Sequence, residues 1–277
     1  MLEFYQNIPL HIDPVALAVG SFSIGWYSIM YLLAFLVVYF LLAYRIKKKE
    51  GQYSVDLILD FIMFALVGAL IGGRLGYVIL YNPNYYWHNL SEIISPYDFA
   101  TGEFTGIYGM SYHGGLLGVI VATLILFRKN KANINFWKFA DFAVPAIPAG
   151  YFFGRIGNFL NLELYGRVTT SWLGMRFPLW TGAGPSLRFP SQLLEAFFEG
   201  VVLFVILWSL RNKSRFVGHL FSIYLIGYGL ARIAAEFFRQ PDEQVGYIAG
   251  YFTLGQIFSL TMILIGMGIY WWRRNKK

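Results

Sequence analysis

The chain of 277 residues contains no cysteine. Structural disulfides, thiolate metal sites and a cysteine nucleophile are therefore excluded together, and any thiol in the chemistry belongs to a substrate. Charge is scarce as well. Asp, Glu, Lys and Arg make up 13% of the residues, about half the fraction usual in soluble domains. So few charges cannot cover the surface of a water-soluble globule. No Ser/Gly-rich linker and no internal repeat divides the chain, and no basic stretch precedes the first apolar residues between Met1 and Val15, so no cleavable signal peptide is expected.

What is present is apolar: 57% of the residues are hydrophobic and 19% aromatic. This composition reads as an all-α integral membrane protein, because a spanning barrel would show alternating segments of about 10 residues instead. A helix crossing a ~30 Å hydrocarbon core needs roughly 20 apolar residues. Seven runs fit as transmembrane helices of a single polytopic domain: Val15–Tyr44, Leu57–Tyr81, Tyr112–Phe127, Phe139–Leu160, Gln192–Leu210, Gly218–Phe238 and Tyr251–Trp272. Pro145 and Pro148 interrupt the fourth. Proline inside a spanning helix removes a backbone donor, and is tolerated where the freed groups face protein or a wet cavity.

The net charge of +7 invites a nucleic-acid reading, but its distribution gives another origin. Arg45 and Lys47 to Lys49, then Arg128, Lys129, Lys131 and Lys138, then Arg211, Lys213 and Arg215, and finally Arg273, Arg274, Lys276 and Lys277 all fall on one side of the seven spans. That is fifteen of the 22 basic residues. Basic loops stay in the cytoplasm, so the N-terminus is expected outside and the C-terminus inside. The positive charge is a topology signal, and nucleic acid is not needed to explain it.

The remaining basic residues are all arginines: Arg74, Arg155, Arg167, Arg176, Arg188, Arg232 and Arg239. Arg74, Arg155 and Arg232 lie inside the second, fourth and sixth runs, beyond the midpoint of each in the outward direction. Ionisable groups at such depth are costly and mark binding or reaction sites. The guanidinium fork matches phosphate and carboxylate oxygens and stays charged when buried. Three of them at similar depth predict an anion-binding cavity in the outer half of the membrane. The alternative is pairing with carboxylates that merely fix helix packing. Arg232, Glu236 and Arg239, at i, i+4 and i+7, fit that alternative, whereas Arg155 and Arg74 have no carboxylate three or four residues away in their own runs.

The polar residues form five constellations. Gly154-Arg155-Ile156-Gly157-Asn158 continues through Asn161 and Glu163 to Tyr165-Gly166-Arg167. Arg155 and Asn158 share a helix face, and the glycines beside them admit a ligand or another helix. Ser111-Tyr112-His113-Gly114-Gly115-Leu116 opens the third run. His113 there is either an ordinary cap or a general base working near neutral pH. Tyr228, Arg232 and Glu236 form one stripe down the sixth run, Trp26-Tyr27 lies in the outer part of the first, and Gly72-Gly73-Arg74-Leu75-Gly76-Tyr77 again sets glycines around an arginine. An enzyme and an anion transporter or lipid flippase both use buried arginines and broken helices. The absence of repeats and the gathering of polar residues in the outer half favour the enzyme.

Taken together these segments resemble the signature of bacterial prolipoprotein diacylglyceryl transferases. The resemblance rests on G-R-I-G-N-F-L-N-L-E at 154–163 with Y-G-R at 165–167, W-Y at 26–27, G-G-R-L-G-Y at 72–77 and S-Y-H-G-G-L at 111–116. It continues through P-S-Q at 190–192 and G-Y-G-L-A-R-I-A-A-E-F-F-R-Q-P-D at 227–242, and is poorest over 168–189. It implies transfer of a diacylglyceryl group from phosphatidylglycerol to the lipobox cysteine thiol of a prolipoprotein, with a thioether formed and glycerol phosphate released. It also implies a multi-pass protein of the bacterial cytoplasmic membrane, with its site toward the outer leaflet and no cofactor or metal. His113, Arg155 and Arg232 are then the expected catalytic residues, His113 as base. Tyr27, Arg74, Asn158, Glu163, Tyr228, Glu236 and Arg239 are the expected substrate-binding set.

Overall fold

A computed structural model describes residues 2–20, 22–80, 83–95, 109–129, 134–240, 247–248 and 251–276. The elements in chain order are α1 (Leu2–Asn7), β1 (Val15–Val19), β2 (Phe22–Gly25), α2 (Trp26–Lys47), α3 (Val55–Leu80), α4 (Pro83–His88), α5 (Tyr112–Lys129), α6 (Phe136–Ala143) and α7 (Ile147–Leu160). They are followed by α8 (Ser191–Glu195), a π-helical turn (Ala196–Val202), α9 (Leu203–Leu210), α10 (His219–Glu236), β3 (Tyr247–Ile248), β4 (Phe252–Thr253) and α11 (Leu254–Arg274). Among the described residues, four helices are long and apolar enough to cross a membrane: Trp26–Lys47, Val55–Ile79, Ser191–Leu210 and Gly255–Arg274. Gly114–Arg128 is a shorter apolar helix. The chain divides into two compact units, one built of Met1–Gly51 and Trp137–Lys277, the other of Gln52–Phe136.

In the first unit the expected run Val15–Tyr44 requires correction, because the helix starts only at Trp26. The residues before it form an antiparallel hairpin in which Val19 pairs with Phe22 and Val15 with Gly25. Gly20, at φ 62°, supplies the left-handed residue that a two-residue hairpin turn needs. The run is continuously apolar, so hydropathy alone could not separate strand from helix.

The expected run Phe139–Leu160 divides into α6 and α7, as its two prolines imply. Between them Ala146 N donates to Ala143 O at 3.0 Å and Ile147 N to Val144 O at 3.3 Å, a tighter winding that carries the chain past Pro145. Pro148 then falls in the first turn of α7, where a missing N–H leaves nothing unsatisfied.

Four helix ends are tied together by buried charge. Arg45, 2% exposed, bonds Glu50 through Nε at 2.8 Å. Its Nη atoms donate to Phe142 O and Asp141 O at the end of α6, and to Arg211 O just beyond α9 at 3.3 Å. These are the orphan carbonyls of helix C-termini, which attract cations. Glu50 in turn accepts from Arg211 Nε and Asn212 Nδ2, each at 3.2 Å. Burial works against its charge, yet the hydrogen bonds from Arg45 and Asn212 outweigh burial and hold its carboxyl below the usual glutamate value. Asp141 caps the opposite kind of end: its carboxylate accepts from Gly218 N at 2.7 Å and Phe221 N at 2.9 Å at the start of α10. Arg45 and Arg211, counted in the sequence among the topology-setting charges, thus also hold helix ends together.

In the second unit, α3 and α5 pack through glycine. A Cβ placed on Gly118 would lie 1.9 Å from Gly68 O, one on Gly72 2.3 Å from Gly114 O, and one on Gly76 2.7 Å from Gly114 Cα. Backbones this close are the small-residue packing of membrane helices, so Gly72 and Gly76 serve a helix contact. Gly118→Leu is expected to lower the melting point of the detergent-solubilised protein, by overpacking worth about 1–3 kcal/mol or more. Gly115→Ala, whose Cβ would meet nothing nearer than 3.4 Å, is expected to melt as wild type. Equal melting of the two variants would contradict this packing.

Candidate active site

Three elements of the first unit converge on one ionic cluster. α7 carries Tyr151, Arg155 and Asn158 along one stripe at i, i+4 and i+7. α10 carries Tyr228, Arg232 and Glu236, with Arg239 one turn beyond. The helix of 191–210 brings Glu195, and Glu199 from its π-helical turn. Gly200 lets this turn approach α7 closely, since a Cβ there would stand 2.8 Å from that of Phe152.

Glu195 is the hub. Its Oε2 lies 2.9 Å from Arg155 Nε and 2.9 Å from Arg232 Nη1, while its Oε1 lies 3.5 Å from Arg239 Nη1. Arg232 also reaches Glu199 Oε1 at 3.6 Å and Glu236 Oε2 at 3.2 Å. The glutamate side chains are at most 4% exposed and the arginines 12–13%, so solvent screens these pairs little. The other oxygen of Glu236 accepts from Thr253 Oγ1 at 3.0 Å. Thr253 meanwhile caps α11 with Gln256, which fixes that carboxylate against a helix start.

Arg155 extends the network along α7. Its Nε also faces Tyr151 Oη at 2.7 Å, and its Nη1 donates to Asn158 Oδ1 at 3.2 Å. Asn158 Nδ2 then donates to Glu163 Oε1 at 2.7 Å. Glu163 stands on a strained segment, because its neighbours Leu162 and Leu164 both hold positive φ, at 57° and 59°. A left-handed conformation costs a side-chain-bearing residue roughly 1–2 kcal/mol, and such strain concentrates at functional places. The segment is held by Glu163 N on Asn158 O at 3.1 Å, by Ser191 Oγ on Leu164 O at 2.7 Å, and by Gln192 Nε2 on Glu163 O. Tyr27, on the first turn of α2, packs beside Gly157 of α7, and it lies in the electrostatic field of Glu163 and Arg155. Tyr228 sets its ring edge-on to Tyr151 at 5.7 Å. A Cβ on Gly154 would meet open space, unlike one on Gly157, which would meet Met30 at 3.1 Å.

Eight expected site residues therefore lie in one network or against it: Tyr27, Arg155, Asn158, Glu163, Tyr228, Arg232, Glu236 and Arg239. The other two are in the second unit. Arg74 donates through Nε to Ile93 O at 2.7 Å, through Nη2 to Glu92 O at 2.6 Å and through Nη1 to Gly109 O at 3.4 Å, with its guanidinium over the Tyr86 ring. Those contacts fasten a loop. His113 belongs to the first turn of α5 by its backbone, and its side chain lies outside the described residues. Sequence reasoning missed Glu195, Glu199 and Tyr151. The signal was available for the glutamates: two carboxylates four residues apart inside an apolar run carry the same cost that singled out the arginines.

The family profile described as prolipoprotein diacylglyceryl transferase matches residues 14–272. The chain belongs to the prolipoprotein diacylglyceryl transferase family. It is 44% identical to the phosphatidylglycerol–prolipoprotein diacylglyceryl transferase of Chlorobaculum tepidum, over 100% of this chain and 96% of that protein. Identity is also 44% with the protein of the same name from Aliarcobacter butzleri, over 99% of this chain and 98% of the relative. With that of Francisella tularensis subsp. novicida it is 46%, over 92% and 91%. The diacylglyceryl transferase match covers every residue of the ionic cluster, and the apolar helices fit the multi-pass membrane character of the family.

Proposed function

We propose that this chain transfers the diacylglyceryl group of phosphatidylglycerol to the lipobox cysteine thiol of a prolipoprotein. The observation that carries the reading is the pair of guanidinium groups, from α7 and α10, held 2.9 Å from a single buried carboxylate oxygen. The names of the relatives supply the substrates, and the cluster supplies the residues. A carbon–sulfur bond forms at a glycerol carbon, the carbon–oxygen bond to phosphate breaks, the thiol gives up its proton and glycerol phosphate leaves. Charge grows on the departing phosphate oxygen, so Arg155 and Arg232 stabilise the transition state more than the bound lipid. Asn158 and Glu163 orient Arg155, Glu236 and Arg239 flank the phosphate site, and Tyr27 and Tyr228 wall it. Seven spans, an outer N-terminus and a cytoplasmic C-terminus belong to the same proposal, which sets the site toward the outer leaflet of the bacterial cytoplasmic membrane. The cationic loops support it.

Arg74 and His113 enter on the motifs alone, Arg74 beside the lipid headgroup and His113 as the base for the thiol. A thiol has a reference pKa of about 8.5 and is a poor nucleophile until deprotonated. His113→Gln is therefore expected to lose transfer at neutral pH and recover part of it as the pH approaches the thiol's own range. No recovery would make His113 a positioning group.

The reading as a whole is tested with purified protein, phosphatidylglycerol labelled in its diacylglycerol part and a lipobox peptide. Label is expected on the peptide, with glycerol phosphate released and a peptide bearing Cys→Ser inert. No transfer by an intact, lipid-reconstituted sample would overturn it.

A further inference from the structure

Glu199 stands apart within the cluster. It lies one turn beyond Glu195 in the π-helical turn Ala196–Val202, a rare geometry that concentrates at functional places. Its side chain is fully buried and its nearest cation is Arg232 Nη1 at 3.6 Å, outside the usual range of a charge-assisted hydrogen bond. The Tyr151 hydroxyl of α7 is its neutral hydrogen-bonding neighbour, and neither of its oxygens meets a cation at normal hydrogen-bond distance among the described residues. Glu195, by contrast, holds two arginines at 2.9 Å, and Glu236 holds Arg232 at 3.2 Å and Thr253 at 3.0 Å. The ionisable groups facing Glu199 are Arg232 from α10, Glu195 from its own helix, and Arg155 and Tyr151 from α7.

The charges of the cluster balance. Arg155, Arg232 and Arg239 face Glu195, Glu199 and Glu236, so these directly paired groups cancel when all three carboxylates are ionised, and Glu163, joined through Asn158, adds no positive charge. A phosphodiester monoanion brought into a neutral, buried cluster adds an uncompensated negative charge, which is costly away from water. The cluster's arginines do not gain charge. The least disruptive compensation is a proton on the carboxylate that gives up the fewest contacts, and that carboxylate is Glu199.

We infer that binding of an anionic lipid headgroup at the Arg155–Arg232 cluster is coupled to the uptake of one proton by Glu199. The inference rests on the cluster being the headgroup site. The proton comes from solvent, the lipid phosphodiester stays a monoanion, and the carboxylate becomes a carboxylic acid whose O–H is a donor in the crowded site. When the anion departs, the proton is returned. Linkage then makes affinity fall as pH rises, the dissociation constant growing about tenfold per pH unit wherever free Glu199 is ionised.

Titration calorimetry of the full-length protein with a short-chain phosphatidylglycerol tests this between about pH 6 and 9, where the phosphodiester does not titrate. Runs in buffers of different ionisation heat count the protons. Wild type is expected to take up about one proton per lipid, with the tenfold-per-unit slope. Glu199→Gln is expected to bind with neither uptake nor slope, and more tightly than wild type at the alkaline end. Proton uptake persisting in Glu199→Gln, or none in wild type, overturns the inference. Infrared difference spectra of wild type need no variant: a protonated carboxyl band should grow as lipid binds, and its absence overturns the inference as well. Arg155→Ala separates the two levels. If it binds as wild type, the headgroup-site reading fails and the coupling with it. If it loses binding while wild type takes up no proton, only the coupling fails.

Discussion

Arg155→Ala and Arg232→Ala are each expected to lower diacylglyceryl transfer about a hundred- to a thousandfold, the usual effect of removing one fixed donor from a developing oxyanion. The geometry explains why neither replaces the other. Arg155 is aimed by Tyr151, Asn158 and Glu195, and Arg232 by Glu195 and Glu236, so the two forks arrive from different helices. Arg155→Lys should fare little better, because an ammonium cannot hold Glu195 and Asn158 while presenting a planar pair of donors to phosphate. Transfer rates are compared for variants shown by their melting points to be folded and inserted. Near-wild-type transfer by a well-folded Arg155→Ala or Arg232→Ala would remove that residue from the mechanism.

The second large effect falls on Glu195. Replacing it with alanine leaves Arg155, Arg232 and Arg239 facing one another with their shared counter-ion gone. Breaking a buried pair from one side typically costs about 3–5 kcal/mol, and here three pairs break at once. Glu195→Ala is therefore expected to unfold at markedly lower temperature or denaturant concentration. Glu195→Gln keeps the shape and some hydrogen bonding, so it should fold better yet still transfer poorly, with its arginines no longer held in register. Wild-type melting of Glu195→Ala would show that the ion pairs do not support the fold.

Much of this arrangement was legible along the chain because it depends on spacing. The apolar run Leu57–Tyr81 returns as α3, Val55–Leu80, and the pair Pro145 and Pro148 marks the junction of α6 and α7. Tyr228, Arg232 and Glu236 share a face of α10 as their four-residue spacing requires. Partners from other elements were hidden for the same reason. Arg155 has no carboxylate on its own helix, and its counter-ion arrives from Glu195, forty residues later in the chain. Arg74 is met by backbone carbonyls, which no side-chain pattern reveals. Leu162 and Leu164 adopt left-handed backbone without glycine's freedom, so that strain had no signature in residue type. Arg45 resembled the other topology-setting charges until the fold brought the carbonyls of Phe142 and Arg211 to it.

The most direct test of the central claim is a structure of the protein with phosphatidylglycerol bound. The account predicts phosphate oxygens within about 3 Å of both the Arg155 and Arg232 guanidinium groups. A headgroup seated elsewhere, with both arginines still closed on Glu195, would contradict it.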